Sequence, residues 1–497
     1  MPFLGWRLIN PNGGSTFSPV IQMSSPSVAP RSLPYGTAQS VDADDFSTKK
    51  KWYGRRHLVA VLALLGFANI YAMRANLSIA IVEMTSGYDR HVNGTIVHVP
   101  AEFGHWSFVT QGVILSAFFY GYILTQLPGG YLAYKYGGKT TFFAGTFGTA
   151  VFTIMTPPLA KMGYGALILA RFFEGVLEGV TYPAMHVVWS HWAPAMEKTK
   201  LATFAFSGSY FGTVVAMPLS AYIGEGFGWP GIFLFFGIVG MVWCAVWQRT
   251  VYDRPADDVN ISTDELTLLQ RDAISECQYV VPWREILRSK AVWAVIMAHF
   301  SQNWGFYTML TNLPRFLKDV ADYDIEKAGV ASALPYFLMG VTIIAGGHFA
   351  DYLRKERQFD TIFVRKAFCT SGFLAQSLFL VIVSQTTNPT ILVICISLSI
   401  GLGGVCWAGF SVNHLDLAPQ YAGHLMALSN TIATIPGIFC PLFVGFIVST
   451  GAVVEWHFIL YTIILVYILG AFVFWKFADA ALQPWAGDHH SFVGQLE

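Results

Sequence analysis

Twelve apolar stretches, each long enough to cross about 30 Å of hydrocarbon as a helix, run along this chain. They lie at roughly 58–82, 109–132, 141–160, 165–189, 201–223, 231–250, 291–314, 329–350, 366–385, 390–413, 424–449 and 456–477. A backbone inside a bilayer must satisfy its own polar groups, so a series of such stretches folds as transmembrane helices. Of 497 residues only 12% are charged, against about a quarter in soluble domains, because lipid-facing positions need no charged shell. Lys plus Arg and Asp plus Glu number 30 each, which leaves no basic face for counterion release and excludes nucleic acid as a partner. The expected fold is an all-α polytopic membrane protein whose first partner is the lipid bilayer.

Residues 1–55 are rich in Pro, Ser and Gly and end in a basic cluster, so they read as a cytosolic tail; 479–497 form a second tail. One long connection, 251–290, separates residues 56–250 from 291–478, six helices from six. With both termini cytosolic, 23 of the 30 Lys and Arg lie inside, five outside, and two, Arg74 and Arg171, within helices. This topology puts the sequon Asn93-Gly-Thr95 in the first outer loop, open to glycosylation. The six Cys fall in apolar stretches or in the connection, so no structural disulfide is expected. Short matches recur in order at offsets of 217 to 227, among them Gly130 with Gly347, Gly212 with Gly437 and Trp229 with Trp456. A duplicated six-helix unit places a site between the halves. In the connection, Ser262-Thr-Asp-Glu265 reads as a capping box opening a short helix. Asp264 with Leu268-Leu269 matches an acidic dileucine sorting pattern, and the same leucines suit the apolar face of that helix.

A charge at the bilayer centre costs about 2.5–3.5 kcal/mol even on insertion scales, so each ionisable residue in a span calls for an explanation. Arg74 shares a helix face with Tyr71 and Ser78. Its permanently charged, forked guanidinium suits either bidentate capture of an anion or a structural pair with a carboxylate. In the fourth stretch, Glu174 and Glu178 lie about 60° and 20° around the helix from Arg171. Arg171 neutralises one acid, which leaves the other to carry a proton, with His186 as a possible extension of the path. Tyr120, Asn303 and Tyr307 are the polar candidates for lining a cavity with Tyr71 and Arg74. No P-loop, zinc-spaced His/Cys set, nucleophile elbow or dinucleotide fingerprint occurs, so neither an enzyme, nor a cofactor, nor a bound metal is expected.

The run Gly130-x-Leu-Ala-x-Lys135-x-Gly137-Gly-Lys139 resembles the conformational loop of major facilitators, with Tyr134 where an Asp is usual; Asp351 supplies the acid in the second copy. More specific are Gly175-Val-Leu-Glu178-Gly-Val-Thr-Tyr182-Pro-Ala-Met-His186, Trp192-Ala-Pro194 and Gly409-Phe-Ser-Val-Asn413-His-Leu-Asp416-Leu-Ala-Pro419. Over about 55–485 these resemble the anion/cation symporter family that holds sialin, the type I sodium/phosphate cotransporters and the vesicular glutamate transporters. The resemblance implies the major facilitator fold and a secondary transporter moving a small anion (sialic acid, an acidic amino acid or phosphate) with H⁺ or Na⁺. It also implies anion binding and proton coupling at Arg74, Arg171, Glu174 and Glu178. Leu115 and Gln302 stand where glutamate transporters carry His and Arg, which points toward the sialin or phosphate-type branch. The membrane is either the plasma membrane or a lysosomal or vesicular one. A Na⁺-dependent phosphate cotransporter is the alternative within this class, and a receptor or anion channel on the same scaffold is the alternative outside it.

Overall fold

The computed structural model describes residues 54–86, 88–92, 95–194, 197–271, 281–386 and 388–487. In chain order the elements are α1 (Arg55–Ser86), β1 (Tyr88–Val92), β2 (Thr95–Val99), α2 (Phe108–Tyr136), α3 (Gly138–Met162), α4 (Tyr164–Glu178), α5 (Thr181–Trp192), α6 (Lys198–Phe227) and α7 (Trp229–Thr250). They continue with α8 (Thr263–Arg271), α9 (Trp283–Arg288), α10 (Lys290–Ala321), α11 (Ile325–Lys355), α12 (Thr361–Gln385), α13 (Pro389–Leu417), α14 (Ala422–Ile447), α15 (Val453–Phe477) and α16 (Pro484–Gly487). Among the described residues nine helices are long and apolar enough to cross a membrane: α1, α2, α3, α7 and α11 to α15. The remaining expected spans are α6, α10 and the broken pair α4–α5, and two of them add buried polar residues to those of α1 and α2. Arg171, Glu174 and Glu178 lie on α4, and His299, Gln302 and Asn303 on α10.

Short polar side chains start several helices. Ser107 caps α2 by accepting from Thr110 N at 3.2 Å, and Asn388 caps α13 by accepting from Thr390 N at 3.0 Å. Between helices, small residues do the packing, since lipid supplies no hydrophobic drive to association. A Cβ added at Gly121 would overlap the Phe172 carbonyl, and one at Gly175 the Phe118 carbonyl, so α2 and α4 cross backbone to backbone. Gly208 and Gly212 do the same for α6 against the Leu64 and Ala68 carbonyls of α1. The outward face of α2 carries Leu124, Leu127, Tyr131 and Tyr134, all exposed.

The architecture is all-α as expected, with one small addition outside the helices. The connection after α1 holds an antiparallel pair, with Tyr88 opposite Val99 and Val92 opposite Thr95. Asn93, the expected glycosylation site, lies outside the described residues.

On the hairpin side, α1 and α2 meet α10 and α14. Arg315 Nη1 donates to Ser86 Oγ at 2.7 Å and lies 4.5 Å over the Phe108 ring, while Gly112 packs on the Pro441 carbonyl. Deeper in, Gln126 of α2 bonds Thr434 at 3.0 Å and Asn430 at 3.2 Å on α14. On the opposite side α8 is pinned to the start of α1. Glu265 N donates to Ser262 Oγ at 3.3 Å, so half of the expected capping box forms. The Glu265 side chain turns instead to α1, accepting from Arg55 N at 2.9 Å and Arg56 N at 3.0 Å. Leu269 is buried in the core beside it, whereas Leu268 is 39% exposed, so one leucine of the pair is spent on packing.

Candidate functional site

The ionisable residues of α1 and α4 converge into two ion pairs. Arg74 Nη2 donates to Glu178 Oε1, and Arg171 Nη1 donates to Glu174 Oε2. Thr153 of α3 donates a further hydrogen bond to Glu174 Oε1 at 3.0 Å. All four charged residues are at most 6% exposed. Burying such pairs carries a desolvation cost, and stripping one partner from a pair costs about 3–5 kcal/mol, so each charge holds its opposite in place. One expectation is thereby corrected. Glu178 is not left unpartnered on the stripe: Arg74, 104 residues away in the chain, takes it. The residue expected to bind the anion and the residue expected to carry the proton are one ion pair.

Aromatic rings wall this pair. The Arg74 guanidinium carbon is 4.4 Å from the Tyr71 ring centroid, 4.7 Å from Phe118 and 4.8 Å from Tyr122. Phe118 also lies 5.3 Å from the Arg171 guanidinium, so one ring serves both arginines. Arg74 Nε and Nη1 and Glu178 Oε2 are buried and make no hydrogen bond. Buried polar atoms are rarely left so, and Nε and Nη1 flank the Nη2 that Glu178 holds, so the parallel N–H pairs that match the two oxygens of a carboxylate or phosphate become free when Glu178 lets go. Tyr307 of α10, buried with its ring 4.8 Å from Phe119, joins Tyr71 and Tyr122 among the hydroxyl groups that Arg74 feels electrostatically. Tyr71 Oη accepts from Tyr182 Oη at 3.2 Å, and Tyr182 meets Ser209 Oγ at 2.9 Å, tying α1, α5 and α6 together.

Of the expected lining residues, Tyr71, Arg74 and Tyr307 come together. Tyr120 does not: it is 45% exposed on the outward face of α2, whereas Tyr122 is 3% exposed and faces Arg74. Two residues along a helix is a 200° turn, so only one of the two can face inward. Asn303 donates to the Ala433 carbonyl at 2.8 Å and so joins α10 to α14. His186 is exposed, its ring 5.3 Å from Phe206, rather than buried with the ion pairs. Gln302 accepts from Gln376 Nε2 at 3.2 Å, and Leu115 is buried apolar packing.

The loop between α2 and α3 has an acid after all. Asp253, just beyond α7, accepts from Lys139 N at 2.9 Å and Thr140 Oγ1 at 3.4 Å. Gly137 (φ 91°) leaves room for that carboxylate, which a Cβ there would strike. Tyr134, at the usual acidic position, points outward, and Lys135 sits 5.1 Å from the Tyr136 ring. Asp351 is exposed, 3.9 Å from Arg354, and Gly130 has only Pro183 near its Cβ position. The buried ion pair in this part of the second half is Arg365–Asp416, at 2.7 Å between α12 and α13.

Residues 62–441 match the Major Facilitator Superfamily family description. Sialin from Homo sapiens is 40% identical over 454 residues, covering 88% of this chain and 92% of sialin. Vesicular glutamate transporter 1 from Bos taurus is 37% identical over 440 residues, covering 87% and 78% respectively. Among solved structures, a D-xylose-proton symporter superposes with a TM-score of 0.66 at 14% identity, covering 85% of this chain and 98% of its own. A bacterial homologue of the lysosomal transporter Spinster, inward-facing and occupied, gives 0.65 at 13% identity, covering 85% and 96%. Both structures agree in fold. With the match spanning both the ion-pair helices and the loop anchored on Asp253, this chain belongs to the major facilitator superfamily, in the group that holds sialin and the vesicular glutamate transporters.

Proposed function

We propose that this protein moves a small organic or inorganic anion across a membrane in symport with H⁺, by alternating access of residues 56–250 and 291–478 around the Arg74 site. The observation that carries this reading is the shared ion pair. Glu178 and an incoming anion compete for one guanidinium, whose parallel N–H pairs suit two anionic oxygens. When Glu178 takes a proton it releases Arg74, and the anion then neutralises the freed charge. When Glu178 loses the proton it reclaims Arg74 and expels the anion. The proton and the anion therefore travel together, and neither leaves a buried charge unpaired. Sialin and the vesicular glutamate transporters are both similar to this chain over most of its length, and the latter support an anion as cargo and a vesicular membrane as its place.

Uptake of labelled sialic acid, glutamate and phosphate into proteoliposomes, with pH and Na⁺ gradients imposed separately, tests the proposal. One anion should accumulate under the pH gradient alone. Glu178→Gln mimics the protonated acid and should retain anion exchange while losing gradient-driven accumulation. Accumulation driven by Na⁺ alone, or by a pH gradient in Glu178→Gln, overturns the coupling.

A further inference from the structure

Outside the charged cluster, on the linker side, a cavity of about 560 Å³ opens where α9 meets the start of α10, bounded by the end of α15 and by α16. Its lining combines both signs of charge with aromatic surface: Glu285, Arg288, Lys290, Phe477, Asp479 and Trp485. Exposed Trp283 and Leu287 on α9, Trp293 in the first turn of α10 and Trp475 near the end of α15 stand around the same helix ends. Exposed tryptophans at helix ends mark the boundary between hydrocarbon and water, so the cavity opens at the level of lipid headgroups.

Three observations favour a phosphate there. Arg288 and Lys290 are exposed cations lining the cavity. The 32-residue α10 begins at Lys290, so its partial positive end and first N–H groups lie at the wall. The indole N–H of Trp485 is buried without a hydrogen bond. The two acids argue against a purely anionic ligand. Asp479 Oδ1 already accepts from Ala480 N at 2.7 Å and Ala481 N at 3.1 Å, yet its charge and that of Glu285 remain beside the cavity. A headgroup with a phosphodiester and a primary ammonium uses both signs. A quaternary ammonium has no N–H to give the carboxylates, and a glycerol headgroup has no cation.

We propose that this cavity binds an aminophospholipid from the adjoining leaflet. Its phosphate sits on Arg288, Lys290 and the start of α10, its ammonium lies toward Glu285 and Asp479, and its acyl chains run past Leu287, Trp293 and Trp475. A lipid in that position joins the interdomain linker, through α9, to the first and last long helices of the second half.

The test titrates the purified full-length protein in detergent with phosphatidylethanolamine, phosphatidylglycerol, phosphatidylcholine or inorganic phosphate and follows the thermal unfolding midpoint. Phosphatidylethanolamine should raise the midpoint saturably by about 2–4 °C, with little effect from the other three. Arg288→Gln with Lys290→Gln should weaken the apparent affinity about tenfold, and Glu285→Gln should let phosphatidylglycerol match phosphatidylethanolamine. Equal midpoints in phosphatidylcholine show that the variants are folded; if the double variant is not, Glu285→Gln alone decides. The site is refuted if phosphatidylglycerol or phosphatidylcholine stabilises the wild type as well as phosphatidylethanolamine does, if the folded double variant binds phosphatidylethanolamine unchanged, or if Glu285→Gln still discriminates against phosphatidylglycerol. Stabilisation by inorganic phosphate alone makes it a soluble-anion site and refutes the lipid.

Discussion

Arg74→Lys keeps the charge and changes only its shape, which makes it the sharpest probe of the anion site. The ammonium still neutralises Glu178, so no carboxylate is left bare and the fold should survive. It loses contact with the three rings now within 4.8 Å of the guanidinium, because a compact charge sits over one face at a time. That loss falls on the loaded and unloaded protein alike and largely cancels in binding. The fork does not cancel. Nε and Nη1 are unused, each completes a parallel N–H pair with Nη2 once Glu178 lets go, and lysine has no such pair. One charge-assisted hydrogen bond is worth about 1.5–3 kcal/mol, so affinity should fall roughly ten- to a hundredfold. The assay is the concentration dependence of uptake in proteoliposomes, for the anion that the wild type takes up, with the unfolding midpoint as a control for folding. A folded variant whose KM stays within about twofold of wild type would show that Arg74 serves only its ion pair.

Three further outcomes are expected. Tyr122→Ala should impair transport and lower the unfolding midpoint, whereas Tyr120→Ala should leave both near wild type, since only Tyr122 faces Arg74. Gly175→Ala drives a methyl into the Phe118 carbonyl at the α2–α4 crossing; a loss of about 1–3 kcal/mol, read as a lowered unfolding midpoint, should accompany weaker transport because Phe118 walls both arginines. Arg56, bonding Glu197 at 2.8 Å, holds that carboxyl below its usual 4.5. The pair's contribution is therefore present above that value and lost as pH falls through the lowered one. Glu197→Gln should cost under about 1 kcal/mol at neutral pH and progressively less as the pH falls through the lowered value, measured as midpoints across pH.

The long helices were legible because bilayer thickness sets a length that few other folds require. The fourth span was legible too, although its two helices, broken after Glu178, are each too short to cross alone. Rotation about the helix axes was not. In a soluble helix the polar side shows which face is out, but here lipid and protein interior are both apolar, and the run Phe118-Phe119-Tyr120-Gly-Tyr122 offers no contrast to set the phase of α2. The Arg171–Glu174 pair was readable because both partners share a turn. The Arg74–Glu178 pair was not, since helix periodicity ranks neighbours only within one helix. Asp253 escaped notice for the same reason: it reaches the loop it anchors from the far end of α7. The hairpin did leave a signal. Asn93-Gly94 is a favoured pair for a two-residue β-turn, and it coincides with the start of the sequon.

Phe118 lies against two cations and has only one π-cloud to share between them. If Arg74 swings toward an incoming anion, the ring is left to Arg171 alone, and the balance between Arg171 and Glu174 changes without either residue touching the cargo. Substitutions at the two ion pairs should then fail to add in a double-mutant cycle, with Phe118→Leu reducing the coupling to what the charges exert on each other directly. Occupancy at one arginine becomes information at the other, and a hydrocarbon ring carries part of it.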